Sequence, residues 1–262
     1  MPTADCVIAL FCVVDERLGP LPKHPQARLW PSEAVTVGLL YALRGGSFRS
    51  FDRWLRREVA ALFGGAGVPE RTRLLRLLRR HRPLTDRLLA EPIFFTVIDT
   101  YGIELLHPWR YRRSRGQVGR KGWSNHRWIV GLKLCWLVNA RGEVVAWDWG
   151  TANTHDRHFL PLVAALEGRS ITLADSGFHG RGAPANLKAC RRGAWNERML
   201  IETLFSLVHR VCRLKYLWHR AAAYLDMHLA YVAALVNALL SLNARAAPGA
   251  PYPPLRLAQY AL

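Results

Sequence analysis

Ile93-Phe94-Phe95-Thr96-Val97-Ile98-Asp99 and Ile171-Thr172-Leu173-Ala174-Asp175 are the two stretches on which the reading of the fold turns. Each is a short apolar run, rich in β-branched or aromatic residues, that stops at an aspartate. That is the pattern of a buried strand reaching the edge of the core at a carboxylate. Trp128 to Val138 and Val144 to Trp149 also read as strands, joined by Asn139-Ala140-Arg141-Gly142, a polar connection that suits a hairpin. Phe159 to Leu166 reads as a helix, with Pro161 tolerated in its first turn. A long helix is expected from Trp195 to Leu214 and another from Ala221 to Leu242. Upstream, Ser32 to Leu89 has helical periodicity, with Phe51, Leu55, Val59 and Leu62 on one stripe and Gly45-Gly46 and Gly64-Gly65 as breaks. The order predicts an α+β chain: a mixed sheet flanked by helices and preceded by a helical region. The expected boundaries are 1–91 for the helical region, 92–243 for the sheet-containing domain and 244–262 for a Pro-rich tail that wraps the surface.

Half of the 262 residues are apolar and the mean hydropathy is −0.01, which excludes a disordered chain and a membrane-embedded body. Charge is the imbalance: 37 Lys and Arg face 19 Asp and Glu, for a net +18. A surplus of that size attracts polyanions, nucleic acid first, with an anionic membrane surface or an acidic protein as the other readings. Thr72 to Arg82 concentrates it, with Leu74, Leu75, Leu77 and Leu78 set against Arg73, Arg76, Arg79, Arg80 and Arg82. Such an amphipath is either the solvated face of a core helix or part of a helical DNA-binding domain. Cys6, Cys12, Cys135, Cys190 and Cys212 show no zinc-knuckle spacing, and their odd number argues against a disulfide framework, so reduced thiols in the cytoplasm are expected. The apolar run Cys6 to Val14 lacks the basic flank of a signal peptide, and Leu229 to Leu242 is short for a membrane span. P-loop, dinucleotide-glycine and nucleophilic Ser or Cys patterns are absent from the sequence.

The acids are placed more tellingly than they are numerous. Between Glu104 and Glu143 there is no Asp or Glu, while nine Arg and Lys fall there. In that basic field Asp99 and Asp175 each close a strand. A carboxylate beside an apolar strand is costly unless paired or metal-bound, and strand ends are where open sheets build sites; the plainer alternative is an aspartate serving as a turn or cap residue. A third acid, Glu202, lies on the long helix, where Trp195, Arg198, Glu202 and His209 share a face. Glu202 is there either as an i−4 partner of Arg198 or as a ligand.

Asp at the end of one strand, Asp at the end of a later one and Glu on the following helix resemble the DDE triad of bacterial insertion-sequence transposases, which share the RNase H-like fold with retroviral integrases. The helix resembles their signature of Tyr, Arg, Glu and Lys separated by two, three and six residues; Trp195, Arg198, Glu202 and His209 keep those gaps, with Trp in place of Tyr and His in place of Lys. Gly131 to Val145 and Thr151 to Asp156 look like the family's strand pair and its N-x-H-D stretch. The resemblance covers about Ile93 to Leu242. The interval from Asp175 to Glu202 leaves room only for a very short fifth strand, around Asn186 to Cys190, and none for the large β insertion that some relatives carry.

The resemblance implies metal-dependent cleavage of DNA ends and strand transfer, with Asp99, Asp175 and Glu202 catalytic and holding two Mg²⁺, for which Mn²⁺ substitutes. Such chemistry uses a pair of ions about 3.5–4 Å apart, and Mg²⁺ prefers carboxylate and water oxygens. His155, Asp156 and His158 have metal-like spacing, but His155 and Asp156 match the family stretch without being its ligands. Trp195, Arg198, His209, Arg210, Arg112, Arg113, Arg120, Lys121 and Lys133 are the expected DNA contacts, with Trp109, Trp123 and Trp128 among the cations as stacking partners. The implied partner is double-stranded DNA, terminal inverted repeats and target, bound by a homodimer or larger assembly in the cytoplasm at the nucleoid, without a membrane. Two alternatives stay open: a catalytically inactive or repurposed DNA-binding relative, and an RNase H-like nuclease without strand transfer.

Overall fold

The computed structural model describes residues 3–63, 67–107, 109, 118–124, 127–190, 197–214, 217, 219, 221–250 and 252–261. The chain divides into two compact units, Met1–Leu89 with Val208–Leu262, and Ala90–Leu207.

The first unit is helical: α1 (Thr3–Leu18), α2 (Pro31–Arg44), α3 (Phe48–Trp54), α4 (Arg71–His81) and, from the far end of the chain, α7 (Ala222–Ala246). Helix α7 has the length and composition to cross a membrane, yet it is apolar all round because it is walled in by α1, α2 and the 3₁₀ turn Arg82–Leu88. A helix without a polar face needs several neighbours. That is the physical reason why α7, expected with the sheet, belongs with the N-terminal helices. It approaches α2 closely, the Tyr231 ring lying 2.2 Å from where a Cβ on Gly38 would stand. Leu10, Leu39, Leu40, Leu43 and Leu235 of the same unit are buried. After α3 the helix widens into a π turn over Leu55–Val59, then tightens to 3₁₀. The expected stripe therefore keeps Phe51, Leu55 and Val59 buried but turns Leu62 out to 42% exposure. The tail is pinned, with Leu257 and Tyr260 buried and Asn243 bonding Pro254, Gln259 and Tyr260.

The second unit is a six-stranded mixed sheet of the RNase H-like α+β class: β1 (Phe95–Leu106), β2 (Arg120–Ser124), β3 (Arg127–Asn139), β4 (Val144–Thr151), β5 (Ile171–Ala174) and β6 (Leu187–Ala189). Antiparallel β3 joins β1 to both β4 and β2, which pair successive stretches of its outer edge; β5 and β6 continue the sheet in parallel beyond β1. Two expectations change. Strand β1 does not stop at Asp99 but runs seven residues further, because the long β3 pairs it from Thr96↔Asn139 to Leu106↔Val130. And β2 was not foreseen. Only Gly122 of its five residues is buried, so it carries no apolar alternation. The brief strand near Asn186 is β6. The helix expected over Phe159 to Leu166 is a 3₁₀ turn, Asp156–Phe159, followed by the short α5 (Leu160–Ala164).

The pleat of β1 divides its residues between two faces. Asp99 and Tyr101 stand with Trp136 and Leu134 on one face, and Phe205 of α6 (Arg198–Val211) stacks against Tyr101 and Trp136 at 5.3 and 5.1 Å. Ile98, Cys135 and Leu137 face the other way, into a core closed by Phe159, Val163, Leu166 and Phe178.

Candidate active site

Register explains how residues 76 positions apart come together. Parallel pairing of β1 with β5 runs Phe95↔Ile171, Thr96↔Thr172, Val97↔Leu173, an offset of 76 throughout. The same offset separates Asp175 from Asp99, one residue past the end of β5, and the negative charge of Asp175 reaches the Asp99 carboxyl. Strand β5 has ended by then, so Asp99 sits where β1 loses its parallel neighbour. The Asp175 carboxylate accepts a bond from the Gly177 amide (2.9 Å), which caps the turn Ser176–Phe178. That is the cap role weighed for an aspartate after a strand, and it leaves Oδ2 for other work. Helix α6 brings the third acid: one nitrogen of Arg198 is 3.7 Å from Asp99 Oδ2 and 3.7 Å from Glu202 Oε1. The two carboxylate oxygens are therefore within twice that distance of each other, with a guanidinium between them.

The electrostatics mark Asp99 as the strained member. Burial pushes its carboxyl from 3.8 up to about 7; the Thr100 amide and Arg198 pull it down, and the negative charges of Asp175 and Glu202 push it further up. Loss of water around the carboxylate is the main cause, and the two neighbouring acids add to it. That donor set suits a divalent ion in its chemistry: hard oxygens, one of them buried and short of positive charge. In their present arrangement, among the described residues, no three of His, Cys, Asp and Glu stand close enough together to hold a metal, and Arg198 supplies the cation that bridges Asp99 and Glu202.

A fourth acid escaped the sequence reading. Asp156 Oδ1 accepts bonds from Thr100 Oγ1 (3.0 Å) and Lys133 Nζ (2.9 Å). Its Oδ2 is 3.2 Å, and Asp175 Oδ1 3.1 Å, from where a Cβ on Gly177 would be. Any side chain at Gly177 would wedge into those two carboxylates. The N-T-H-D stretch held the signal, but it was set aside as a family match without a ligand role.

The expected DNA contacts separate into groups. Trp195, Arg112 and Arg113 lie outside the described residues. Arg198 is engaged with the two acids. Lys133, expected on phosphate, is instead only 12% exposed and spends its charge on Asp156, because β3 turns it into the sheet interior. Arg120 and Lys121 are exposed on β2, where Lys121 lies over the Trp128 ring at 5.1 Å and Trp128 meets Trp123 edge to face. Both indoles are more than half exposed, and Trp109 is 88% exposed. On α6, Arg210 is exposed and His209 part-buried.

Residues 106–196 match the family described as the transposase DDE domain. That match takes in Lys133, Asp156 and Asp175 and stops short of Asp99 and Glu202. Comparison with curated proteins finds no match.

Proposed function

We propose that this chain, a DDE transposase of the insertion-sequence kind by its match over residues 106–196, cleaves DNA at the ends of its element and joins the freed 3′-hydroxyl to target DNA. Asp99, Asp175 and Glu202 are the acids of the reaction. The observation that carries this reading is Arg198, one nitrogen of which lies 3.7 Å from both Asp99 Oδ2 and Glu202 Oε1, while the charge of Asp175 also acts on the Asp99 carboxyl. Asp99, Asp175 and Glu202 would hold Mg²⁺, which supplies Lewis-acid stabilisation of the charge that develops on phosphate oxygens.

The chain's own residues do the rest. Asp99 sits rigidly in the middle of β1, and Asp175 is fixed by its bond to the Gly177 amide, so both carboxylates are preorganised. Glu202, 60% exposed on α6, is the adaptable one. Arg198 offsets the charges of Asp99 and Glu202, and it would be free to contact a phosphate when the acids take another cation. In cleavage, water attacks phosphorus and the bond to the 3′-oxygen breaks; in joining, that 3′-hydroxyl attacks a target phosphodiester and a target 3′-oxygen leaves. The exposed Trp123, Trp128 and Lys121 of β2 and β3 suit contact with DNA bases and backbone. The setting is DNA in the cytoplasm.

A duplex bearing the element's ends, incubated with the chain, Mg²⁺ and a target plasmid, tests the reading. Joined product is expected. Cleaved ends without joined product would reduce the activity to that of a nuclease, and bound but uncut DNA would make the chain a DNA-binding protein only.

A further inference from the structure

The helical unit carries a concave basic surface that the catalytic reading does not use. The segment His24 to Arg28 and one face of α4 enclose a cavity of about 350 Å³, lined by His24, Arg28, Arg73, Arg76, Arg80 and, at its floor, Leu77. No Asp or Glu lines it. Elsewhere guanidinium groups find carboxylates: Arg56 has Asp52, Arg82 has Asp86 and Asp226, Arg127 has Glu104 and Arg169 has Glu91. Among the described residues Arg28, Arg73, Arg76 and Arg80 have no such ion pair, and all four are exposed. Like charges gathered in a hollow repel one another, so the arrangement costs stability until an anion enters.

The cleft is organised. Arg73, Arg76 and Arg80 fall on one stripe of α4, opposite the buried Leu74 and Leu78, which fix the rotation of the helix. Glu70 caps α4 by accepting from the Thr72 and Arg73 amides, so the one nearby acid is turned to the backbone. Arg76 Nε bonds the Thr72 carbonyl, and the opposite wall is held by the Ala27 amide on the His24 carbonyl and by Lys23 on the Arg28 carbonyl. The arginine stripe spans about 10 Å along the helix at 1.5 Å per residue, the axial length of about three phosphates of one DNA strand.

We infer that this cleft binds the phosphodiester backbone of duplex DNA, with Arg28, Arg73, Arg76 and Arg80 as the phosphate contacts. The anion chemistry stands on the cleft alone; DNA as its source rests on the proposed function. Contacts of this kind position a duplex without reading its sequence.

Anisotropy titrations of the full chain against a labelled duplex, over a range of salt, test it without any cleavage step. Each of Arg76→Ala and Arg80→Ala is expected to weaken binding several-fold and to lower the salt slope by about one. Arg76→Lys keeps the slope, and Arg169→Ala, a control that loses the partner of Glu91, changes neither. Unchanged affinity and slope in both alanine variants would overturn the inference. So would a loss confined to inorganic polyphosphate with duplex binding intact. If the slopes fall while no DNA is ever cut, the cleft stands and the catalytic reading fails; the reverse outcome fails the cleft alone.

Discussion

The most strongly shifted titratable groups of the two units differ in kind. In the helical unit, His228 is fully buried against Tyr41 and His219, both its ring nitrogens lack a hydrogen-bond partner, and burial drives it far toward the neutral form, with His219 adding to the push. Burial takes His219 down from 6.5 to about 4. In the sheet unit the buried group is Asp99, pushed up to about 7. A neutral imidazole at the centre of a helical core is a packing residue with an unmet bond, which costs about 1–3 kcal/mol and nothing more at neutral pH. A carboxylate stripped of water and near two others is a different matter, since it is relieved by a proton or by an added cation. The shifted imidazoles of the helical core rest in their uncharged form, while in the sheet Asp99 stands where a cation would favour its charged form.

The largest effect expected from this contrast is acid loss of the helical unit. A histidine depressed in the folded state contributes stability above its unfolded pKa, which is lost as pH falls through 6.5 toward 4. For His219 alone the shift amounts to on the order of 3 kcal/mol, and His228 acts in the same direction. Far-UV dichroism during urea unfolding at pH 4 to 8 will show it, and His228→Phe should flatten part of the acid limb. An acid limb of equal depth in that variant would remove His228 from the account.

Asp99 acts with the opposite sign. Its raised folded pKa means that the folded state holds the proton longer, so in metal-free buffer its contribution falls as pH rises from about 4 to about 7, by on the order of 3–4 kcal/mol. Asp99→Asn should therefore stabilise the metal-free chain at pH 8 and have little effect at pH 4. Mg²⁺ should raise the melting temperature of the wild type at pH 8 more than that of the variant. A variant less stable than wild type at pH 8 would contradict a costly buried charge at Asp99.

How much of this was legible follows from what each residue depends on. Strand β5 and its closing Asp175 were plain, because a four-residue apolar run ending in an acid is a local pattern. The partner of Asp99 was legible as a residue type, but its place inside β1 was not, since the strand's length is set by β3 and not by its own composition. Asp156 and Thr100 stayed hidden because their meeting depends on which side of the pleat each faces. The arginines of α4 were visible as a stripe, while the facing segment His24 to Arg28, with no periodicity of its own, gave no sign of a cleft.

Lys133 gives a smaller, sharper contrast with Lys121. Lys133→Met should destabilise the sheet unit by about 1–3 kcal/mol, because it strands a largely buried carboxylate, and leave the salt slope of DNA binding unchanged. Lys121→Met should leave stability alone and lower that slope by about one. Equal slopes for the two variants would mean that β2 does not meet DNA.

The central claim is that Asp99, Asp175 and Glu202 act as one set, and the most direct measurement is cleavage of end-bearing DNA in Mg²⁺ by Asp99→Asn, Asp175→Asn and Glu202→Gln, each checked for retained DNA binding. Each single change is expected to lower cleavage by about 10³-fold or more, and combining them to cost little beyond the first, since groups that act as a unit are not additive. Any one of the three cutting at the wild-type rate would contradict it.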